Sequence, residues 1–467
     1  MADTSLKREI GLTSAVCLVI ANMVGTGIFT TSGFIIQTLN EPWIMMLCWL
    51  MGGLFSLFGA LCYAEIGARF PGAGGEYLFL YKSFGELPAF ISGWISLVVG
   101  FSAPIAAAAI ALAHYGSLLL PPHFAVWGLS CSADTGKIIA ACLAILCFSF
   151  AHYYSVKLGK GIQNLLTAFK LLLILGFAAG AFLWGQGSFD HFASRVAGES
   201  DGFWAVLSDG RLAVALVFVS FAYSGWNSAA YLGGEIIRPR TNLPRALIFG
   251  TLIVICLYLL LNGVYIYAVS PSLMANAPDV GARAAIALFG SRFGHLFSAG
   301  IAMGLSSALS AMIVTGPRVY YAMARDGLFF NMFGRVSPER GTPGAAIFLQ
   351  AVLAIVMVVT ASFECLLIYI GFTLSLMASL TVLGMMRLRR KEGGAHDGKI
   401  YHTPAYPVIP LLFIAGNLWI VAFSLYGRPV AAVWGVGTIL AGLPFYLFFK
   451  NRGLPCLSDA SPVHNEK

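Results

Sequence analysis

Long apolar stretches recur along the whole chain and are separated by short polar connections. A helix needs roughly 20 apolar residues to cross the hydrocarbon core of a membrane, and most of the stretches reach that length. The pattern therefore predicts an all-α polytopic membrane protein with twelve transmembrane helices, in a single domain over residues 1–467. The predicted spans cover residues 12–36, 42–66, 84–116, 137–155, 162–184, 212–236, 244–269, 284–324, 344–361, 364–387, 406–426 and 430–449.

The composition agrees with this pattern. The chain is 58% hydrophobic and 10% charged, with a mean hydropathy of +0.82, and so few charges do not solvate the surface of a water-soluble globule. Sequence motifs of metalloproteases, α/β-hydrolases and P-loop NTPases are absent, and histidines, cysteines and acids show no metal-binding spacing. We therefore expect neither an enzyme nor a cofactor or metal site.

Positive charges are distributed unevenly between the connections. If the N-terminus is cytoplasmic, most of the 28 Lys and Arg residues lie on the cytoplasmic side, including the run "RLRRK" at residues 387–391. This bias predicts an integral protein of the plasma (inner) membrane with both termini in the cytoplasm. Attraction to the anionic inner leaflet accounts for the net charge of +8, so we expect the lipid bilayer, and no nucleic acid, as a partner.

Two apolar stretches carry glycine and polar residues near their midpoints. The first contains "NMVGTGIFTTSGF" (residues 22–34) and the sixth contains "SFAYSGWNSAAYLGGE" (residues 220–235). Close packing of small residues accounts for either one alone. Interruptions at similar depth, five spans apart, instead favour an inverted repeat of five plus five helices at about residues 12–184 and 212–387, with peripheral helices at about 406–449.

A break in a membrane helix exposes backbone groups. The amides of Gly25, Thr26 and Gly27 would begin the outer half of the first span and suit a carboxylate. Carbonyls near Met23 and at residues 221–224 would end other half-helices and suit an ammonium group. Since irregular backbone at this depth is tolerated only where it lines a cavity, the breaks predict a site for a zwitterion about the size of an amino-acid head group.

Several motifs are those of a known family. "VGTGIF" resembles the glycine-rich signature in the first helix of the amino acid–polyamine–organocation (APC) superfamily, and "FAYSGWN" followed by "GGEIIRPRTNLPRAL" resembles helix 6 and the next loop of its L-type amino acid transporter branch. "GALCYAEIGARFPGAGGEY" and "GLPFYLFF" are similar to that branch as well. The resemblance covers nearly the whole chain. It implies a LeuT-type fold with helices 1 and 6 discontinuous, and transport of amino acids by alternating access.

The resemblance also implies roles for individual residues. The amides of Thr26 and Gly27 would hold the substrate carboxylate, so a side chain at Gly27 is expected to fill that niche. Carbonyls of Met23, Phe221 and Ser224 would hold the ammonium group. Phe221 would be the aromatic gate, although a plain packing role stays open. Asn227 would face the pocket or form an interhelical hydrogen bond. The predicted substrate-binding residues are Met23, Gly25, Thr26, Gly27, Phe221, Ala222, Ser224 and Asn227.

Lys170 lies well inside the fifth apolar stretch. An intramembrane lysine is costly, by roughly 2.5–3.5 kcal/mol on insertion scales, so it either reaches to the inner face or occupies a polar pocket. We expect that pocket to combine carbonyls of helix 1 with hydroxyls of helix 8, at Ser306, Ser307 or Ser310. The resemblance implies that this lysine replaces the second sodium ion of sodium-coupled relatives. A fixed charge suits sodium-independent exchange or uniport, whereas a lysine that releases and rebinds a proton gives proton-coupled symport.

The substrate class is predicted from the acids of the pocket segments. None is evident there, and Ser224 stands where cationic-amino-acid members of the branch carry an aspartate, so small or medium neutral L-amino acids are expected. Three acids at the predicted inner ends of helices, Glu65, Glu76 and Glu235, are expected to form an inner ion-pair network with the pair Arg325–Asp326. Plain solvation of these groups is the alternative.

An amino-acid-sensing membrane receptor without flux is the alternative to a transporter. Such a receptor usually has a long cytoplasmic extension, and the short tail after Lys450 therefore favours a transporter. Animal members of the L-type branch bond a glycoprotein subunit through a cysteine in the loop that here contains Cys131. Because the short termini suit a stand-alone carrier, we expect no covalent heavy-chain partner through Cys131.

Overall fold

The structure, a computed structural model, describes residues 8–117, 125–126, 129–130, 133–154, 156–197, 202–337, 340–360, 363–391, 400–427 and 429–452. Cys131, considered above as a point of attachment, lies outside the described residues.

Helices make up nearly all of the regular structure in these ranges. A π-helical segment (Ser96–Ser102), short 3₁₀ helices (Phe189–Phe192, Gly233–Glu235, Asn331–Gly334) and two antiparallel two-residue strands, β1 (Ala125–Val126) and β2 (Leu129–Ser130), accompany the α-helices. The α-helices are α1 (Leu12–Met23), α2 (Gly27–Thr30), α3 (Ser32–Leu39), α4 (Pro42–Arg69), α5 (Glu76–Phe84), α6 (Glu86–Ile95), α7 (Ala103–Ser117), α8 (Ala133–Tyr154), α9 (Val156–Trp184), α10 (Gly202–Ser208), α11 (Arg211–Tyr223), α12 (Ser228–Tyr231), α13 (Pro239–Ala268), α14 (Pro271–Met274), α15 (Val280–Phe289), α16 (Ser291–Thr315), α17 (Pro317–Arg325), α18 (Gly344–Thr360), α19 (Phe363–Lys391), α20 (Val408–Gly427) and α21 (Pro429–Arg452).

Eight stretches of the described chain are long and apolar enough to cross a membrane, and α10 with α11, bent by 80°, forms a possible ninth. Shorter apolar helices at α15, α18 and Val408–Phe423 add to them. The all-α polytopic membrane class is therefore confirmed, while the number twelve stays a prediction. The eight stretches are Leu12–Thr30, Pro42–Arg69, Glu86–Ser117, Asp134–Tyr154, Gly161–Trp184, Pro239–Ala268, Ser291–Arg325 and Val433–Arg452.

The first helix lies inside the bundle. Helix α1 packs along α13, α9 and α16, and its second half, from Leu18 to Met23, is buried. Small residues permit this close packing: a Cβ added at Gly250 of α13 would lie 2.6 Å from a methyl carbon of Val19. The centre of the molecule is thus built around the segment in which the sequence predicted a break.

Both predicted interruptions are present. Helix α1 ends at Met23, residues 24–26 are not helical, and α2 begins at Gly27. Helix α11 ends at Tyr223, residues 224–227 form turns, and α12 begins at Ser228. The discontinuity of helices 1 and 6 is confirmed, and the two breaks position the site described next.

Candidate functional site at the two broken helices

The two breaks touch each other. A Cβ added at Gly27 would lie 2.4 Å from the Cα of Ala222, and one added at Gly225 would lie 2.8 Å from the Cβ of Asn22. Gly225 also has φ +94°, a backbone conformation that disfavours any residue with a side chain. Glycine at these two positions therefore permits the backbones of the broken helices to meet.

A tyrosine of α13 joins the breaks. The hydroxyl of Tyr258 lies 2.5 Å from the carbonyl oxygen of Met23 and 2.8 Å from that of Ala222, so its proton is shared between both segments. The Met23 carbonyl also accepts a bond from the Gly25 amide (2.8 Å), and the Phe221 carbonyl accepts one from the Ser224 amide (2.9 Å). Two carbonyls predicted to hold an ammonium group thus have partners within the protein.

The second half of the first span starts as expected for a helix. The Thr26 carbonyl accepts bonds from the Thr30 amide (3.1 Å) and the Thr30 hydroxyl (2.9 Å), which closes the first turn. The amides of Thr26 and Gly27 come before that turn, where a helix leaves its donors without intrahelical acceptors. They remain candidates for binding an anionic group.

A cavity of about 90 Å³ lies beside the second break. Of the predicted substrate-binding residues, Phe221, Ser224 and Asn227 line it. The others are in or next to the breaks but do not belong to the cavity wall: Met23, Gly25, Thr26, Gly27 and Ala222. The sequence did not predict that the wall also includes Phe101, from the π-helical segment, and Glu76.

Lys170 is fully buried in α9. Its Nζ lies 3.3 Å from the Ala21 carbonyl oxygen and donates a second hydrogen bond to the Val24 carbonyl oxygen. These carbonyls belong to the last turn of α1 and the break after it, where a helix carries partial negative charge. The lysine therefore does not reach to the inner face; its ammonium group occupies the predicted carbonyl pocket of helix 1.

The predicted serines of helix 8 have other partners. Ser306 donates to the Ala302 carbonyl (3.3 Å). Ser307 hydrogen-bonds with Gln163 (3.2 Å), and Ser310 with His152 (2.8 Å). The expectation that one of these serines meets Lys170 therefore does not match the structure. The reason is that α16 presents Gly304 to the lysine stem: a Cβ there would lie 3.5 Å from the Lys170 Cγ.

Glu76 departs most from expectation. It lies on α5, outside the membrane-spanning stretches, is 3% exposed, and its Oε1 accepts hydrogen bonds from the Tyr63 hydroxyl (2.6 Å) and the Asn227 side-chain amide (2.9 Å). No cation pairs with it among the described residues. Burial raises the pKa of the Glu76 carboxyl to about 7, although the hydrogen bonds from Tyr63, Asn227 and Tyr231 act in the opposite direction. The expectations of a cavity without an acid and of an ion-paired Glu76 were both wrong.

Comparison with known proteins now decides the family. The family model described as amino acid permease matches residues 10–449. The chain belongs to this family. It is similar to the serine/threonine exchanger SteT of Bacillus subtilis (31% identity over 96% of this chain and 98% of that protein) and to the large neutral amino acids transporter small subunit 2 of Oryctolagus cuniculus (30%, over 95% and 80%). A third relative is the Asc-type amino acid transporter 1 of Mus musculus (29%, over 95% and 81%). The permease is thus a membrane transporter, not an enzyme.

Two of the other acids expected in the ion-pair network form buried ion pairs. Glu65 pairs with Arg389 (3.2 Å), and Glu235 pairs with Arg318 (2.9 Å). Asp326 accepts a bond from the Tyr77 hydroxyl (2.9 Å). The predicted network therefore exists as separate groups, and Glu76 does not belong to any of them.

Proposed function

We propose that the permease exchanges amino acids across the plasma membrane by alternating access, with both termini in the cytoplasm. The observation that carries this proposal is the contact between two broken helices beside a cavity, at Gly27–Ala222 and Gly225–Asn22. The relatives support it, since their names describe an exchanger of serine and threonine and transporters of amino acids. The division into inverted repeats at about 12–184 and 212–387 is part of the proposal.

Small or medium neutral L-amino acids are the proposed substrates. A buried water needs about 10–15 Å³ of such space, so the 90 Å³ cavity has room for roughly six to nine waters, a range that includes the number of heavy atoms in serine. Its wall combines aromatic rings of Phe101 and Phe221 with the polar groups of Ser224 and Asn227. Such a mixture suits a short side chain on a zwitterion.

Within this proposal the backbone holds the zwitterion. The amides of Thr26 and Gly27 bind the carboxylate, and the carbonyls of Met23, Phe221 and Ser224 bind the ammonium group, with Phe221 as the gate. The Met23 carbonyl already accepts from Tyr258, so the substrate ammonium shares this acceptor or displaces the tyrosine.

Lys170 supports sodium-independent transport. Its ammonium group binds the carbonyls of Ala21 and Val24, which are the oxygen ligands that a monovalent cation would need. A charge fixed there supports exchange without a coupling ion. We also propose that the permease works without a covalent heavy chain.

Reconstitution tests these proposals together. Purified permease in liposomes is offered labelled neutral amino acids, with the lumen empty or preloaded, with sodium or choline, and with or without a pH gradient. Uptake is expected only into preloaded liposomes, equally in sodium and choline. Accumulation in empty liposomes under an inward proton gradient would instead favour symport through Lys170. Binding without uptake would favour a sensor.

A further inference from the structure

Glu76 is a buried acid that has no role in the transport mechanism proposed above. Glu76 lines the same cavity as Phe221, Ser224 and Asn227. Its hydrogen-bond partners in the described structure, Tyr63, Asn227 and Tyr231, are neutral donors. A buried carboxylate without a cation is costly, so such a group takes up a proton or attracts a positive ligand.

The contact between Glu76 and Asn227 fixes the orientation of the amide. An ionised carboxylate only accepts hydrogen bonds, so the Asn227 Nδ2 must point to it, and this nitrogen also lies 3.3 Å from the Tyr231 hydroxyl. The opposite atom, Oδ1, is then turned away from Glu76 and is available to the cavity as an acceptor. Protonated Glu76 carries an O–H donor, so Asn227 can turn its Oδ1 toward Glu76 and its NH₂ toward the cavity instead.

We propose that Glu76 is a proton-binding positioning residue, which through Asn227 decides whether the substrate site presents a hydrogen-bond acceptor or a donor. The proposal rests on the proposed function. The ionised form, with Oδ1 toward the cavity and a negative charge behind it, favours the ammonium group of an amino acid. The protonated form removes both attractions and binds the zwitterion weakly.

The surroundings allow Glu76 to titrate as a single group. In the part of the chain that the structure describes, Tyr63 and Tyr231 are its titratable hydrogen-bond partners, while Glu65 pairs with Arg389 and Asp326 accepts from Tyr77. The titratable and charged groups on α5 and the surrounding elements include Tyr77, Tyr81 and Lys82 on α5, Tyr63, Glu65 and Arg69 on α4, Glu86 on α6, Tyr231 on α12, Arg318, Tyr320, Tyr321 and Arg325 on α17, Asp326 after α17, and Arg387, Arg389, Arg390 and Lys391 on α19.

The test is equilibrium binding of a labelled neutral amino acid to purified full-length permease between pH 6 and pH 8. With a carboxyl pKa of about 7, the ionised fraction falls about tenfold over this range, and the apparent Kd rises by the same factor toward pH 6. Glu76→Gln keeps the shape but cannot ionise, so its Kd should not change with pH. A pH dependence that persists in Glu76→Gln, or that is absent from the unmodified protein, would overturn the proposal.

A second variant keeps the test valid if Glu76→Gln does not fold. Tyr63→Phe removes a hydrogen bond that favours the ionised form, so the midpoint of the pH dependence should move upward. Tyr320→Phe is the matched control, because this buried phenol donates to Gln350 rather than to Glu76, and its midpoint should not move. An unmoved midpoint in Tyr63→Phe counts against the proposal.

The outcomes separate the two proposals. If no amino acid binds at any pH, the proposed function itself is wrong. If an amino acid binds with a Kd that does not depend on pH, only the role of Glu76 is wrong.

Discussion

Both helix breaks contain glycine, but they differ in how their polar groups are satisfied. In the first, the carbonyls of Ala21 and Val24 accept hydrogen bonds from the buried ammonium group of Lys170. In the second, residues 224–227 border the cavity, and Asn227 donates to Glu76. The first break is thus closed by a cation of the protein itself. The polar groups of the second break face the cavity instead, where a bound ligand or a proton on Glu76 can change their hydrogen bonds.

The glycines of the two breaks also differ. A Cβ at Gly25 would have only ordinary contacts, 3.7 Å from the Cβ of Ala308, whereas one at Gly225 would overlap the backbone of Asn22. Gly225 is required by packing and by its positive φ, whereas a methyl group added at Gly25 would make only ordinary van der Waals contact with Ala308. A side chain is therefore excluded at Gly225, while one the size of a methyl group is tolerated at Gly25.

The largest effect is expected at the cation of the first break. Lys170→Met removes the donor to two buried carbonyls, and each group left unsatisfied costs about 1–3 kcal/mol. Methionine retains much of the lysine stem, so the fold should persist, but the break should lose its geometry. Exchange in preloaded proteoliposomes is expected to fall at least about tenfold, since about 1.4 kcal/mol corresponds to that factor.

A lysine elsewhere provides the control. Lys137 on α8 pairs with Asp134 near the helix end and is partly exposed, so Lys137→Met should exchange at the unmodified rate. Full exchange by Lys170→Met would show that the first break does not need its cation, and the contrast between the breaks would disappear.

The next effect compares alanine in the two breaks. Gly225→Ala places a residue at φ +94°, which costs about 1–3 kcal/mol, and adds the overlap with Asn22. We expect a clearly lower Tm in detergent for Gly225→Ala. Gly25→Ala should keep nearly the unmodified Tm, because its methyl group makes only ordinary contacts. Equal losses of Tm in both variants would show that Gly225 is no more restricted by its surroundings than Gly25.

The breaks and the position of Lys170 could be predicted because their signals are local. Gly25, Gly27 and Gly225 interrupt apolar stretches at a depth where a helix needs unbroken hydrogen bonds. A lysine far from either membrane face needs acceptors, and broken helix ends supply them. Each prediction follows from one stretch of sequence and the cost of a polar group in hydrocarbon.

The remaining features depend on tertiary contacts that no local pattern encodes. In the sequence, Glu76 lies between two predicted spans and is expected at the cytoplasmic surface. In the structure, α5 places it against Asn227. Gly27 was expected to leave a niche for a carboxylate, but its missing side chain makes room for Ala222. A bulky residue there would separate the helices, so loss of binding in Gly27→Val would not identify the ligand niche.

The smallest effect is expected at the tyrosine that joins the two breaks. Tyr258→Phe removes one hydroxyl shared by the carbonyls of Met23 and Ala222. Because Met23 keeps its bond from the Gly25 amide, the loss should be about 1 kcal/mol in the free energy of unfolding, together with a slower exchange rate. The matched control is Tyr265→Phe on the same helix: this buried hydroxyl has no hydrogen-bond partner among the described residues, so its removal breaks no bond. If both variants lose the same stability and exchange rate, the loss comes from the cavity that a missing hydroxyl leaves, and Tyr258 does not hold the breaks together. If only Tyr258→Phe loses stability and exchange rate, the hydroxyl of Tyr258 couples the first break, which Lys170 closes, to the second break, which faces the cavity.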